Sequence, residues 1–194
     1  MRSKLLYVDL ETTGLNAKVH AIIELAYIIE IDGKVVRRGS YKINPTTYNR
    51  KVFVSPKALE CNGYKVEEFE SFRNSSEACK EFITVLANYL DKGQRFTFVG
   101  FNSSFDIKFL QEWMKDSKQD FYGRFISYKD LDVFALVKYL HYGKIIDTGV
   151  SQGLEASCKA LNLGYDAHGA VADIEATRDL HLHLLSMLRS IDND

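Results

Sequence analysis

The sequence predicts an α/β domain, with a mixed sheet covered by helices on both faces. Three observations lead there. The first forty-odd residues read as three consecutive strands, the remainder alternates helical and strand-like segments, and no repeat, linker or shift in composition divides the chain. At 194 residues the expectation is one domain, spanning 1–194, long enough to bury a core without metal or disulfide staples. A hydrophobic fraction of 46% with 2 Pro and 12 Gly excludes intrinsic disorder and collagen-like or low-complexity arrays.

Each element has a local reason. Lys4 to Leu10 is a short apolar run broken late by a carboxylate, as in a buried strand. Ala21 to Ile31 is rich in isoleucine, and Asp32-Gly33 before the alternating stretch Val35 to Ile43 is a hairpin signal. Ser55-Pro56 marks a helix start with Pro at the first helical position. From Ser75 to Leu90, residues Ala78, Phe82, Val85, Leu86 and Tyr89 recur at helical spacing, with Ser75 or Ser76 expected as the N-cap. Phe96 to Phe101 reads as a buried strand, followed by a polar turn at Asn102-Ser103-Ser104 and a helix from Asp106 to Lys115. A strand over Phe125 to Leu131 and helices over Asp132 to Leu140, Gln152 to Leu163 and Ala170 to Ile191 complete the pattern.

Lys plus Arg is 25 and Asp plus Glu is 26, a net charge of −1, so a duplex-coating role is not expected. Nucleic acid remains compatible, because a local site with bound cations can handle phosphate by itself. No apolar run approaches the roughly 18–20 residues that cross a bilayer, and Met1-Arg2-Ser3-Lys4 does not lead into a signal-peptide core. The expectation is a soluble cytoplasmic protein with no membrane partner. Cys61, Cys79 and Cys158 are odd in number and widely spaced, so they read as reduced, mostly structural thiols.

The chemistry lies in acids placed where burial should forbid them. Asp9 and Glu11 are two apart on a strand and project to one face. Paired carboxylates beside an apolar run raise each other's pKa unless a cation neutralises them. Asp106 opens a helix and Asp173 stands early in the last one, where an acid also has an ordinary role in complementing the helix dipole. His168 precedes Asp173 by five residues. Taken together, four carboxylates from three segments suit hard divalent ions such as Mg²⁺ or Mn²⁺. Two such ions can stabilise both the attacking and leaving oxygens of a phosphoryl displacement, and a nearby His can take the proton from water.

These residues resemble a family. Asp9-Leu-Glu11-Thr-Thr-Gly14-Leu, Asn102-Ser-Ser-Phe105-Asp106-Ile-Lys-Phe109-Leu110 and His168-Gly-Ala170-Val-Ala-Asp173 look like the three motifs of the DEDDh, DnaQ-like 3′-to-5′ exonuclease superfamily, in its order. The resemblance implies a ribonuclease H-like fold with a five-stranded mixed sheet, three antiparallel strands followed by parallel additions. It implies that Asp9, Glu11, Asp106 and Asp173 hold two divalent ions, Mg²⁺ or Mn²⁺, and that His168 is the general base, with Glu11 also at the reacting centre. Thr12, Thr13, Leu15, Asn102 and Phe105 are the implied contacts to the terminal nucleotide. Asp132 is taken as supporting structure and not a fifth ligand. Phe101 stands where many relatives have His. The implied partner is the 3′ end of single-stranded DNA or RNA, with a polymerase or other protein partner and the oligomeric state left open. Two other readings stand beside this one: a non-catalytic nucleic-acid-binding or scaffolding protein on the same fold, and a ribonuclease H-type endonuclease. Phe101, Phe105, Trp113 and Tyr165 are expected to be mostly core, with one or two at most touching a base.

Overall fold

In the computed structural model, which describes residues 3–119, 122–149, 151–165 and 169–191, β1 (Lys4–Thr12) lies inside a six-stranded sheet. Strands β2 (Ile22–Ile31) and β3 (Lys34–Asn44) follow it as an antiparallel meander. Their turn is two residues long, with Asp32 at φ 50° and Gly33 at φ 76°, the left-handed pair that a tight hairpin requires. β5 (Phe96–Gly100) pairs parallel to β1, and β6 (Ile126–Asp132) parallel to β5. The sheet has one strand more than the five expected. The two-residue β4 (Arg73–Asn74) adds beside β3, giving the order β4-β3-β2-β1-β5-β6. Two residues carry no periodicity, so the sequence offered nothing to read there.

The helices are α1 (Pro56–Asn62), α2 (Ser75–Asn88), α3 (Ser103–Asp116), α4 (Tyr122–Phe125), α5 (Val133–Tyr142), α6 (Leu154–Ala160) and α7 (Ala170–Ile191). Ser55 caps α1 as expected, accepting from the Ala58 amide. The cap of α2 is Asn74 and not Ser75 or Ser76; its side chain accepts from the Ser76 and Glu77 amides. That frees Ser75 to sink into the core, where its hydroxyl accepts from Trp113 Nε1 at 3.0 Å. α3 starts at Ser103, earlier than the sequence suggested, because Asn102 takes the turn alone in the left-handed conformation at φ 64°. α6 is shorter than Gln152 to Leu163; Asn162, also left-handed at φ 55°, lies just past its end.

Alternation along β1 divides the interior into two cores. Leu6, Val8 and Leu10 face one side, with Phe82 and Leu86 of α2 and Phe109, Leu110 and Trp113 of α3. Tyr7 faces the other, with Val137 of α5, Cys158 of α6 and Ile174, Leu180 and Leu184 of α7. Asp9 and Glu11 share parity with Tyr7 and therefore point towards α7. Two polar contacts fix the inner face of that helix on the sheet. Tyr7 Oη and His181 Nδ1 are 3.0 Å apart, and Arg178 donates through Nε and Nη2 to Glu30 Oε2 at 2.9 and 2.7 Å. Among the described residues no helix is long and apolar enough to cross a membrane.

Removing one partner of a buried pair leaves the other charge uncompensated. Glu30→Ala, which strips Arg178 of its buried counter-ion, is expected to destabilise the fold by about 3 kcal/mol in urea denaturation.

Candidate active site

The acids meet at the carboxyl ends of the parallel strands, the usual place for a site on an open α/β sheet. Asp9, Glu11 and Asp173 each present an oxygen within 4.8 Å of the others. The first two come from the last residues of β1, and Asp173 from the first turn of α7, where its amide donates to Gly169 O. Asp106, buried in the first turn of α3, completes the group electrostatically, since it is the largest single charge acting on Asp9.

Burial, and then the charges of Asp106, Asp173, Glu11 and Glu24, push the Asp9 carboxyl well above the usual carboxylate range. Glu11 is pushed up to about 7 by burial, then by Asp173 and Glu24. Asp106 is also raised, mainly by burial and further by Asp132 and Glu11, against hydrogen bonding from its own amide and that of Leu10. A cluster of oxygen donors that resists ionising without a counter-charge fits a hard divalent cation. Asp9, Glu11, Asp173 and Asp106 are the residues that could hold it.

β6 supplies the frame for Asp106. Asp132 caps α5, accepting from the Phe134 amide at 3.0 Å, and also accepts from the Asn102 amide at 2.9 Å. Asp130 accepts from the Ser103 hydroxyl. These two acids hold the turn that launches α3, and Asp132 has the supporting position expected of it.

Beside the acids opens a cleft of about 490 Å³, lined by Glu11, Thr12, Leu15 and Phe105, with Lys57 and Asn62 of α1 opposite. Leu15 is 86% exposed, unusual for leucine, and projects at the cleft mouth. α1 is tied to β1 through Asn62 Nδ2, which donates to Thr12 O at 2.9 Å. Gly14 lets the His20 ring lie against the loop: a Cβ there would come within 2.3 Å of it. Thr13 is placed differently from the other implied contacts. It is fully buried behind the wall, its hydroxyl donating to Phe53 O and accepting from the Ala21 amide. Asn102 lines a neighbouring cavity with Leu15 and Phe105. His168 lies outside the described residues. Of the aromatic residues, Trp113 is core and Phe105 is half-buried on the cleft wall. Cys79 and Cys158 are buried free thiols, and Cys61 is exposed on the cleft.

Two residues at the site went unread in the sequence. Glu24 stands opposite Glu11 in the β1–β2 register, is buried, and accepts from the Tyr64 hydroxyl at 2.8 Å. Tyr165, expected in the core, packs its ring there but turns its hydroxyl to donate to Asp173 Oδ1 at 2.7 Å. The register of Glu24 becomes legible only once the hairpin length is fixed. No local pattern announces the contact of Tyr165.

A mixed sheet of this order, with acids converging at the ends of its parallel strands, is the ribonuclease H-like architecture. The model of the Exonuclease family, RNase_T, matches residues 6–180, and the chain belongs to that family. Relatives include a DNA polymerase III PolC-type protein of Thermotoga petrophila, 28% identical over 95% of this chain and 12% of its own length. Ribonuclease T of Haemophilus ducreyi is 26% identical over 95% of this chain and 86% of its own. Among solved structures, E. coli Exonuclease I in complex with a dT13 oligonucleotide has a TM-score of 0.75 at 20% identity. It covers 98% of this chain, which spans 43% of that one.

The raised carboxyl pKa values set a sign. These groups hold protons more tightly folded than unfolded, so their stabilising contribution is full below the ordinary carboxylate range and is lost as pH rises through about 7 for Glu11. In EDTA the melting temperature is expected to fall between pH 5 and pH 8, with Mn²⁺ restoring it at pH 8 by linkage. Asp9→Asn should raise the metal-free melting temperature at pH 8 by about 2–4 °C, the shift that 1 kcal/mol makes in a chain of this size. A thermal-shift series reads all three. Tyr165→Phe keeps the ring and removes the hydroxyl that orients Asp173; calorimetry should find Mn²⁺ bound roughly tenfold more weakly or worse.

Proposed function

We propose that this chain is a 3′-to-5′ exonuclease that hydrolyses the terminal phosphodiester of single-stranded DNA or RNA and releases nucleoside 5′-monophosphates. The observation that carries the reading is the convergence of Asp9, Glu11 and Asp173 within 4.8 Å, beside a cleft large enough for a nucleotide. Two divalent ions, Mg²⁺ or Mn²⁺, would supply charge stabilisation to the attacking and leaving oxygens.

The chain's own residues do the rest. Asp9, Glu11, Asp106 and Asp173 would hold the cations, and the raised pKa values of Asp9, Glu11 and Asp106 mean that loading would release protons. Leu15 and Phe105 pack against the terminal sugar or base, and the backbone at Thr12 lines the same cleft. Thr13 serves by bracing the loop, through Phe53 and Ala21. Tyr165 orients Asp173, and His168 removes the proton from the attacking water.

The family and the names of the relatives support this reading. Those names split between a DNA polymerase and a ribonuclease, so they leave both sugars in play. The PolC-type relatives also support a polymerase setting as one context for this domain.

The test is a time course on 5′-labelled single-stranded DNA and RNA of one sequence with Mn²⁺. The expected product is a ladder shortening by single nucleotides, absent in EDTA and abolished in folded Asp9→Ala and Asp173→Ala. Scattered internal cuts would establish an endonuclease instead, and binding without cleavage a scaffold. His168→Ala should lower the rate of the chemical step by roughly 10²–10⁴-fold, as for loss of a general base.

A further inference from the structure

The cleft does not end at Leu15 and Phe105. It shares both residues with a second cavity of about 250 Å³, which shares Leu15 and Lys108 with a third of about 310 Å³. The third shares Gln111 and Glu112 with a fourth of about 520 Å³. The four form one trough along the solvent face of α3, where Ser104, Lys108, Gln111 and Lys115 recur at spacings of four and three.

Beyond the cleft its charge is one-sided. Lys18, Lys108 and Lys115 line it against Glu112, in a chain whose net charge is −1. At the far end Tyr128 is 85% exposed, and Lys129 Nζ sits 5.7 Å from its ring centroid. Tyr122 lines the same end, and its buried hydroxyl has no hydrogen-bond partner among the described residues. An exposed aromatic ring beside cations, reached by a lysine-lined trough, is the combination that binds single-stranded nucleic acid without reading its sequence.

The geometry points to this trough as the track for the strand upstream of the 3′ end. Phosphates lie along Lys18, Lys108 and Lys115, and a base stacks on Tyr128. The inference rests on the exonuclease reading above. Charge complementarity and continuity with the cleft choose the occupant. From Ser104 to Lys115 the helix rises about 16 Å. At roughly 3.4 Å per stacked nucleotide, that holds about five nucleotides. With the terminal residue in the cleft, the footprint is about six.

The experiment uses 5′-fluorescein-labelled oligothymidylates and oligouridylates of 2 to 12 nucleotides, with anisotropy in EDTA and hydrolysis in Mn²⁺. Affinity should rise with length to about six nucleotides and then level off. The salt slope for the 12-mer should be near −2, at about 0.7 for each of three phosphate contacts. Lys108→Glu with Lys115→Glu should reduce that slope by about 1.4 and lower the ratio of kcat/KM for the 12-mer over the dinucleotide. Tyr128→Ala should weaken 12-mer binding roughly tenfold, and circular dichroism confirms that each variant is folded. Affinity independent of length, or a length dependence that survives these substitutions, overturns the track. So does a trough that closes on self-association, read by sedimentation as a dimer that Tyr128→Ala dissociates. If length-dependent binding holds and responds to the variants while no strand is shortened in Mn²⁺, the track stands and the exonuclease reading falls.

Discussion

Like charges held close together in a poorly solvated place are the constraint to which the rest of the structure answers. Asp106, Asp173, Glu11 and Glu24 all raise the affinity of Asp9 for its proton, Asp173 and Glu24 raise that of Glu11, and free side chains would swing apart. Each is instead fixed by an anchor away from the cluster. Pairing of β1 with β2 along nine residue pairs sets Glu11 against Glu24. Asp130 and Asp132 grip the start of α3 and so fix Asp106. His181 and Arg178 secure α7 to Tyr7 and Glu30. His181 lies eight residues, or about 12 Å, along the helix from Asp173. The repulsion cannot relax unless one of these anchors breaks, so the site keeps its geometry at a cost in stability that a cation would offset.

The same anchors explain what was legible in the sequence. Strand alternation places Asp9 and Glu11 on one face, and that needs no partner strand to be read. The long apolar patterns of α2, α3 and α7 likewise announce themselves, because a core-facing stripe repeats over several turns. The supporting place of Asp132 comes from the family resemblance, and the structure shows its side chain accepting from the amides of Asn102 and Phe134. What escaped depends on contacts between distant segments. Glu24 acquires meaning only from its register with Glu11 across the hairpin. Tyr165 looks like any core aromatic until its hydroxyl meets Asp173. Asn74 displaced two serines as a helix cap because Ser75 was needed by Trp113, 38 residues away. Thr13 matched a motif position, yet the structure gives its polar atoms to the loop and not to the cleft.

The two polar features of the surface pull in opposite directions on a polynucleotide. The acid cluster repels phosphate, whereas Lys18, Lys108 and Lys115 attract it. A net charge of −1 conceals this division, because the whole-chain sum averages a negative pole and a positive stripe on neighbouring elements. Exposed lysines act over about a Debye length, about 8–10 Å at physiological salt, so the stripe can gather a strand without neutralising the acids. In the proposed enzyme the two tasks are therefore separable: the stripe determines how strongly a strand is held, and the carboxylates determine whether its end can approach.

That separation has a consequence for order of assembly. Without cations, a 3′-terminal phosphodiester entering beside Asp9 and Glu11 would add another negative charge to a place where burial and neighbouring acids already disfavour ionised carboxyls. Cations reverse the balance: they favour the ionised carboxylates and at the same time attract the incoming phosphate. Under the proposed function, metal and strand would then assist each other's binding through one electrostatic field, and no movement of the fold would be needed to couple them. Rigid anchoring of α3 and α7 would serve such coupling, because an acid cluster free to spread would lose its need for the cation and with it the linkage to substrate.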